Sequence, residues 1–165
     1  MKCVKTTMGK AKEKLMKKIL ILALGILLLP SLIHAGDKDY GSAIATVVSV
    51  YDGDTITVNL NGEWPPLIAE KIGVRVYGVD TRELREGGRP AKAFVESLIP
   101  VGSTVHLSNI LRDKYFRIVA RVGYNCEDLD IEPPMCSDLS LTLIKHKFAI
   151  PYDGGTKASF PKDIK

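Results

Sequence analysis

Residues 36–165 are expected to form one small α+β domain, a β-barrel of five short strands with helices packed on it. Three observations carry this reading. Short runs rich in Val, Ile and Thr recur at strand period, turn-forming residues punctuate them, and two segments carry apolar residues at helical spacing. A length of 130 residues is enough for a single hydrophobic core.

Residues 42–51 and 55–60 read as two strands of a hairpin broken by "DGD", with Ile56, Val58 and Leu60 on one face of the second. After the loop "NGEWPP", residues 71–79 form a third strand, in which Val74 and Val76 face away from Arg75 and Tyr77. "REGGRP" punctuates the chain again, and Pro90 suits the first turn of a helix whose buried face is Ala91, Phe94, Val95 and Leu98. Residues 105–108 and 117–122 are two further short strands separated by "NILRDKY". A cysteine-bracketed loop follows, and then a helix capped by Ser137 or Asp138 runs to about Lys147, burying Leu139, Leu143 and His146. The tail "PYDGGTKASFPKDIK" reads as loop, and no internal repeat is present. Five short strands with one helix after the third suggest the oligonucleotide/oligosaccharide-binding (OB) architecture.

The segment before this domain has a different composition. A lysine-rich opening, the apolar run of residues 19–29, Pro30 and "SLIHA" predict a signal peptide over residues 1–35, cut near Ala35. The run is shorter than the roughly 18 residues of a membrane-spanning helix, although a retained amino-terminal anchor is an alternative. Export to the periplasm or the medium is the expectation. The leader also carries most of the positive charge: seven Lys and one Glu leave with it, so sixteen basic and eighteen acidic residues remain. The basic pI therefore gives no ground for inferring a polyanionic partner from net charge. Cys3 lies in the leader, whereas Cys126 and Cys136 bracket "CEDLDIEPPMC" and are expected to pair as a disulfide. A zinc site lacks a CxxC or a nearby histidine.

Two strand ends carry acids. "YDGDTITV" holds Asp52 and Asp54, and "GVDTRE" holds Asp80 and Glu83. If these ends adjoin, their carboxylates suit a hard cation. An EF-hand is excluded, because the fifth loop position from Asp52 is Ile56 and the sixth is Thr57, where Gly is required. Arg75 and Arg117 lie in apolar strands near acids. They could form ordinary Arg–Asp ion pairs, or they could present guanidinium forks to a phosphate. His106 and His146 fall in strand and helix patterns and are read as core or surface residues.

"DGDT", "RVYGVDTRE", "RDKYFR" and "IKHKFAIPYDGG" occur in an order and spacing that resembles the staphylococcal nuclease-like (thermonuclease) family, over residues 47–156. The resemblance implies a five-stranded OB-fold of that type and a calcium-dependent, sequence-tolerant nuclease. By position, Asp54, Asp80 and the carbonyl of Thr81 would bind Ca2+, with Asp52 close by. Glu83 would act on the attacking water, Arg75 and Arg117 would grip the scissile phosphate, and Tyr115 and Tyr152 would line the nucleotide groove. DNA and RNA are the implied substrates, and 3′-phosphates the implied products. Basic residues near these motifs, namely Arg82, Arg85, Arg89, Lys92, Arg112, Lys114 and Arg121, suggest a groove that favours single strands, with Arg121 and Lys92 read as ordinary surface residues. The chain is expected to act as a monomer with no obligate protein partner. Two positions depart from the family pattern: Phe116 stands at a usual Gly and Arg82 at a usual Pro. They sustain the alternative of a noncatalytic OB-type nucleic-acid-binding module. An exported domain that binds another protein through its disulfide loop is a third reading.

Overall fold

A computed structural model describes residues 38–113, 115, 117–131 and 133–165, so the predicted leader, Lys114 and Phe116 lie outside the described residues. The fold is mostly sheet with three short helices. Its strands are β1 (Ala43–Val50), β2 (Thr55–Leu60), β3 (Ile72–Val76), β4 (Val79–Thr81), β5 (Thr104–Arg112), β6 (Ile118–Glu127), β7 (Met135–Asp138) and β8 (Ala149–Pro151). The helices are α1 (Pro66–Ala69), α2 (Arg89–Leu98) and α3 (Leu139–Lys145), and a 3₁₀ turn covers Leu84–Glu86.

Strands β3, β2, β1, β5 and β6 are neighbours in that order, and parallel pairing of β3 with β6 closes them into a ring of five. These correspond to the five predicted strands. Closure leaves no unpaired edge within the ring, which removes a template for aggregation. Strand β7 adds to the outside of β6, and β4 pairs with β8 as a separate two-stranded sheet. Alternation works as the sequence suggests. Val47, Ile56, Val58, Val74, Val76, Val105, Leu107 and Val122 are buried, each strand sending every second side chain into one core. Val95 and Ile99 from the α2 end and Leu139 and Leu143 from α3 complete that core. Each such side chain contributes about 1.5–3 kcal/mol when fully buried.

Four predicted features change. The third strand is broken after Val76, because Gly78 takes φ +82° and turns the chain before β4. Strands β5 and β6 run well past their predicted ends, to Arg112 and Glu127. The cysteine-bracketed segment is therefore more than a loop: Cys126 belongs to β6 and Cys136 to β7. His146 is exposed instead of buried, because α3 ends at Lys145 and Lys147 (φ 61°) redirects the chain; its ring rests 5.0 Å from that of Phe94. Asp138 caps α3 as expected, accepting from the Leu141 amide at 3.0 Å.

The sulfurs of Cys126 and Cys136 lie at disulfide distance, 2.06 Å. With only 10 residues of separation, the closed loop is short, and the chain-entropy model assigns it about 3 kcal/mol. A Cys126→Ser/Cys136→Ser double variant is expected to lose that much in urea unfolding followed by circular dichroism. An unchanged midpoint would refute the link.

Candidate functional site

The turn between β1 and β2 builds one wall of the site. The Asp54 amide donates to Asp52 Oδ1 at 3.1 Å, and Tyr51 and Asp52 amides both reach the Thr55 carbonyl, so "DGD" is a tight, self-bonded turn. Gly53 is required there by proximity. A Cβ at this position would lie 2.7 Å from Ala91 Cβ and 2.8 Å from Thr81 Oγ1. The turn thus presses directly on β4 and α2. Gly88 does the same for the start of α2, where a Cβ would lie 1.9 Å from the Arg82 carbonyl oxygen.

Register brings the opposite charges together. Antiparallel pairing sets Thr55 against Arg75, so the arginine emerges beside Asp54. Its Nη1 lies 3.0 Å from Asp54 Oδ1, and its Nη2 lies 3.0 Å from Asp80 Oδ1 and donates to the Val79 carbonyl. Asp54 also accepts from the Thr81 amide, at 3.0 Å on Oδ2, and from the Thr55 hydroxyl. Asp54 is 3% exposed and Asp80 0%. Burial pushes the Asp54 carboxyl up to about 6, against the opposing pull of Arg75, and the nearby Asp52 pushes the same way as burial. The charged form is thus held at a cost that Arg75 offsets only in part. Arg75 is raised: burial works against its charge, but Asp54 and Asp80 outweigh it.

Strand β8 pairs Ile150 with Asp80 and then delivers Tyr152, whose amide donates to the Gly78 carbonyl at 3.0 Å. The Tyr152 ring stands 5.5 Å from the Arg75 guanidinium, and its hydroxyl donates to the Gly155 carbonyl. On the far side, parallel pairing of β3 with β6 places Arg117 at the mouth of β6. Arg117 Nε donates to Asp113 Oδ2, and its guanidinium faces the Tyr115 ring at 5.7 Å.

Asp52, Asp54, Arg75, Glu83, Arg117 and Tyr152, together with Thr81, Tyr115 and Arg112, line one cleft of about 530 Å³, whereas Asp80 is fully buried and does not line it. The sequence left two roles open for the arginines. Both carry ion pairs with acids, and both also face this cleft. Among the described residues, four basic ones line the cleft, namely Arg75, Arg112, Arg117 and Lys157. Of the seven basic residues expected nearby, Lys114 lies outside the described residues and Arg112 alone of the others lines the cleft. Lys92 pairs with Glu96, Arg121 pairs with Asp138 and covers Tyr77, and Arg82 turns toward the tail, donating to the Pro161 carbonyl and covering Phe160. His106 is buried in β5 and lines no part of the cleft.

One residue of the site escaped sequence reasoning. Lys157 Nζ lies 3.1 Å from Asp80 Oδ1 and 3.0 Å from Glu83 Oε1. Burial pulls its pKa down, but the bonds to Glu83 and Asp80 prevail and raise it. The only local cue is the "GGT" that frees the chain before it.

Among the described residues, no group of three or more His, Cys, Asp and Glu side chains gathers as a metal cage. The acids are instead interleaved with Arg75 and Lys157. The chemistry nevertheless fits a hard cation: the side chains of Asp54, Asp80 and Glu83 offer oxygens, and Asp80 Oδ2 is buried without a hydrogen-bond partner among the described residues. No protein-family model and no curated protein matches the chain.

Among the described residues, no helix is long and apolar enough to cross a membrane.

Proposed function

We propose that this chain is a calcium-dependent, sequence-tolerant nuclease on an OB-type barrel, hydrolysing the phosphodiester bonds of DNA and RNA and leaving 3′-phosphates. The observation that carries the reading is that Arg75 pairs with both Asp54 and the fully buried Asp80 at 3.0 Å, beside a cleft whose wall holds Asp54, Arg75, Glu83, Arg117, Tyr115 and Tyr152. The motif resemblance supports it from the sequence side.

Asp54, Asp80 and the Thr81 carbonyl would hold the ion, which when bound supplies charge stabilisation to the phosphate oxygens. The remaining work belongs to the chain. Arg75 and Arg117 present planar, permanently charged forks to the equatorial oxygens, whose negative charge grows as the five-coordinate transition state forms. Glu83, on the exposed rim, takes the proton of the attacking water while a bond forms from that water to phosphorus. The bond from phosphorus to the 5′-oxygen breaks, and that oxygen takes a proton from solvent. Tyr115 and Tyr152 offer faces on which unpaired bases stack without regard to sequence, a preference for single strands that base pairing in a duplex would oppose.

The test is digestion of single-stranded DNA by the purified protein in calcium and then in excess chelator. Cleavage in calcium alone, with 3′-phosphate ends, is the expected result. Tight binding with no cleavage under either condition would favour the noncatalytic module and overturn the enzyme.

A further inference from the structure

Lys157 places a second cation on the acids of the site, after Arg75 and in a position that no motif foretells. Its ammonium bridges Asp80 and Glu83, one of them a carboxylate assigned to the ion and the other the carboxylate assigned to water. The tail that carries it is tied down independently at three points. Arg82 holds the Pro161 carbonyl and covers Phe160, Lys147 Nζ pairs with Asp163 at 2.9 Å, and the Lys165 amide donates to the Lys147 carbonyl at 2.8 Å. Arg82 sits between the ion's proposed ligands and Glu83 in sequence, yet its side chain serves the tail. The strap is therefore built to deliver Lys157, and the ammonium is a tethered counter-ion.

A divalent cation held by Asp54, Asp80 and the Thr81 carbonyl would share one carboxylate, Asp80, with this ammonium. Asp80 Oδ1 already accepts from both Arg75 and Lys157, so a further positive charge beside it meets strong repulsion at short range. We propose that Lys157 sets the cation affinity of the site: it occupies the acid pair as an internal competitor, and calcium binding displaces it and loosens the strap. This rests on the reading of the acids as a calcium site. Linkage makes the effect reciprocal: whatever factor Lys157 imposes on calcium, calcium imposes on the docking of Lys157.

The test is calorimetric titration of calcium chloride alone into the purified protein and its Lys157→Ala and Lys157→Arg variants, joined to amide hydrogen exchange over residues 156–165. Lys157 is half exposed on a loop, so neither variant threatens the fold. Lys157→Ala is expected to bind calcium about tenfold more tightly, within the usual range of coupling between sites, while Lys157→Arg stays near the wild type. Calcium should speed exchange across residues 156–159 in the wild type, leave residues 160–165, held by the independent ties, unchanged, and leave the already loosened Ala variant unchanged throughout. Equal calcium affinity in wild type and Lys157→Ala overturns the inference and leaves the calcium nuclease standing. No calcium binding by any of the three proteins overturns both.

Discussion

Glu83→Gln is expected to cut calcium-dependent digestion of single-stranded DNA by about 10²–10⁴-fold while leaving stability within about 0.5 kcal/mol of wild type. The two halves have different physical grounds. Gln keeps the shape and one acceptor of Glu but cannot take a proton, so a water that needs deprotonation loses its base. The side chain is 59% exposed, and its one strong contact is the ion pair with Lys157, itself half exposed and screened by solvent. The local backbone does not depend on the carboxylate. The Glu83 carbonyl accepts from the amides of Glu86 and Gly88, and these bonds persist in the variant. Product formation under single-turnover conditions and urea unfolding of the same sample separate the two effects. Digestion at the wild-type rate would remove Glu83 from the chemistry, and a large loss of stability would mean that its role is architectural.

What the sequence disclosed and what it hid follow a physical line between local and distant interactions. Strands β1 and β2 and helix α2 were readable because alternation and helical spacing are local, and the residues concerned are buried as their pattern demands. Strand β5 runs past the expected end at Ser108 through Asn109, the first residue of "NILRDKY". Asn109 takes φ 51° as a bulge: register with β6 shifts between Ser108 and Leu111, and the strand continues beyond it. The spacing of His146 from Leu143 places it in the core only while the helix lasts, and α3 ends at Lys145. The acids and arginines of the cleft were each visible. That Arg75 bridges Asp54 and Asp80 depends on the β2–β3 register and on the turn at Gly78, and neither is written in any short motif. Lys157 was invisible for the same reason in a stronger form, since 74 residues separate it from Glu83.

Arg75→Ala removes the one guanidinium that both buried acids share, and a loss of about 3–5 kcal/mol of stability is expected in chelator at neutral pH, the usual consequence of stripping one partner from a buried ion pair. Lys157 still pairs with Asp80, whereas among the described residues Arg75 is the cation that pairs with Asp54, so Asp54 bears most of the change. Its carboxyl already sits at about 6 because burial outweighs Arg75, and without Arg75 it moves higher still. The sign of the pH effect follows. A carboxyl whose folded pKa lies above its unfolded value favours the fold at low pH and loses that contribution as pH rises through the folded value. The variant should therefore be less handicapped relative to wild type near pH 5 than near pH 7.5. Calcium at about 10 mM supplies a second check. With a dissociation constant of roughly 10⁻⁴ to 10⁻³ M, mass action returns about 1.4–2.7 kcal/mol to a protein that binds it. The gain should be larger for Arg75→Ala than for wild type, because the ion enters a site from which one competing cation has been removed. Urea unfolding at the two pH values, with and without calcium, reads all three effects. If the variant loses less than about 1 kcal/mol at pH 7.5, the pairing of Asp54 and Asp80 through Arg75 contributes little. If calcium steadies wild type and variant equally, the ion binds elsewhere.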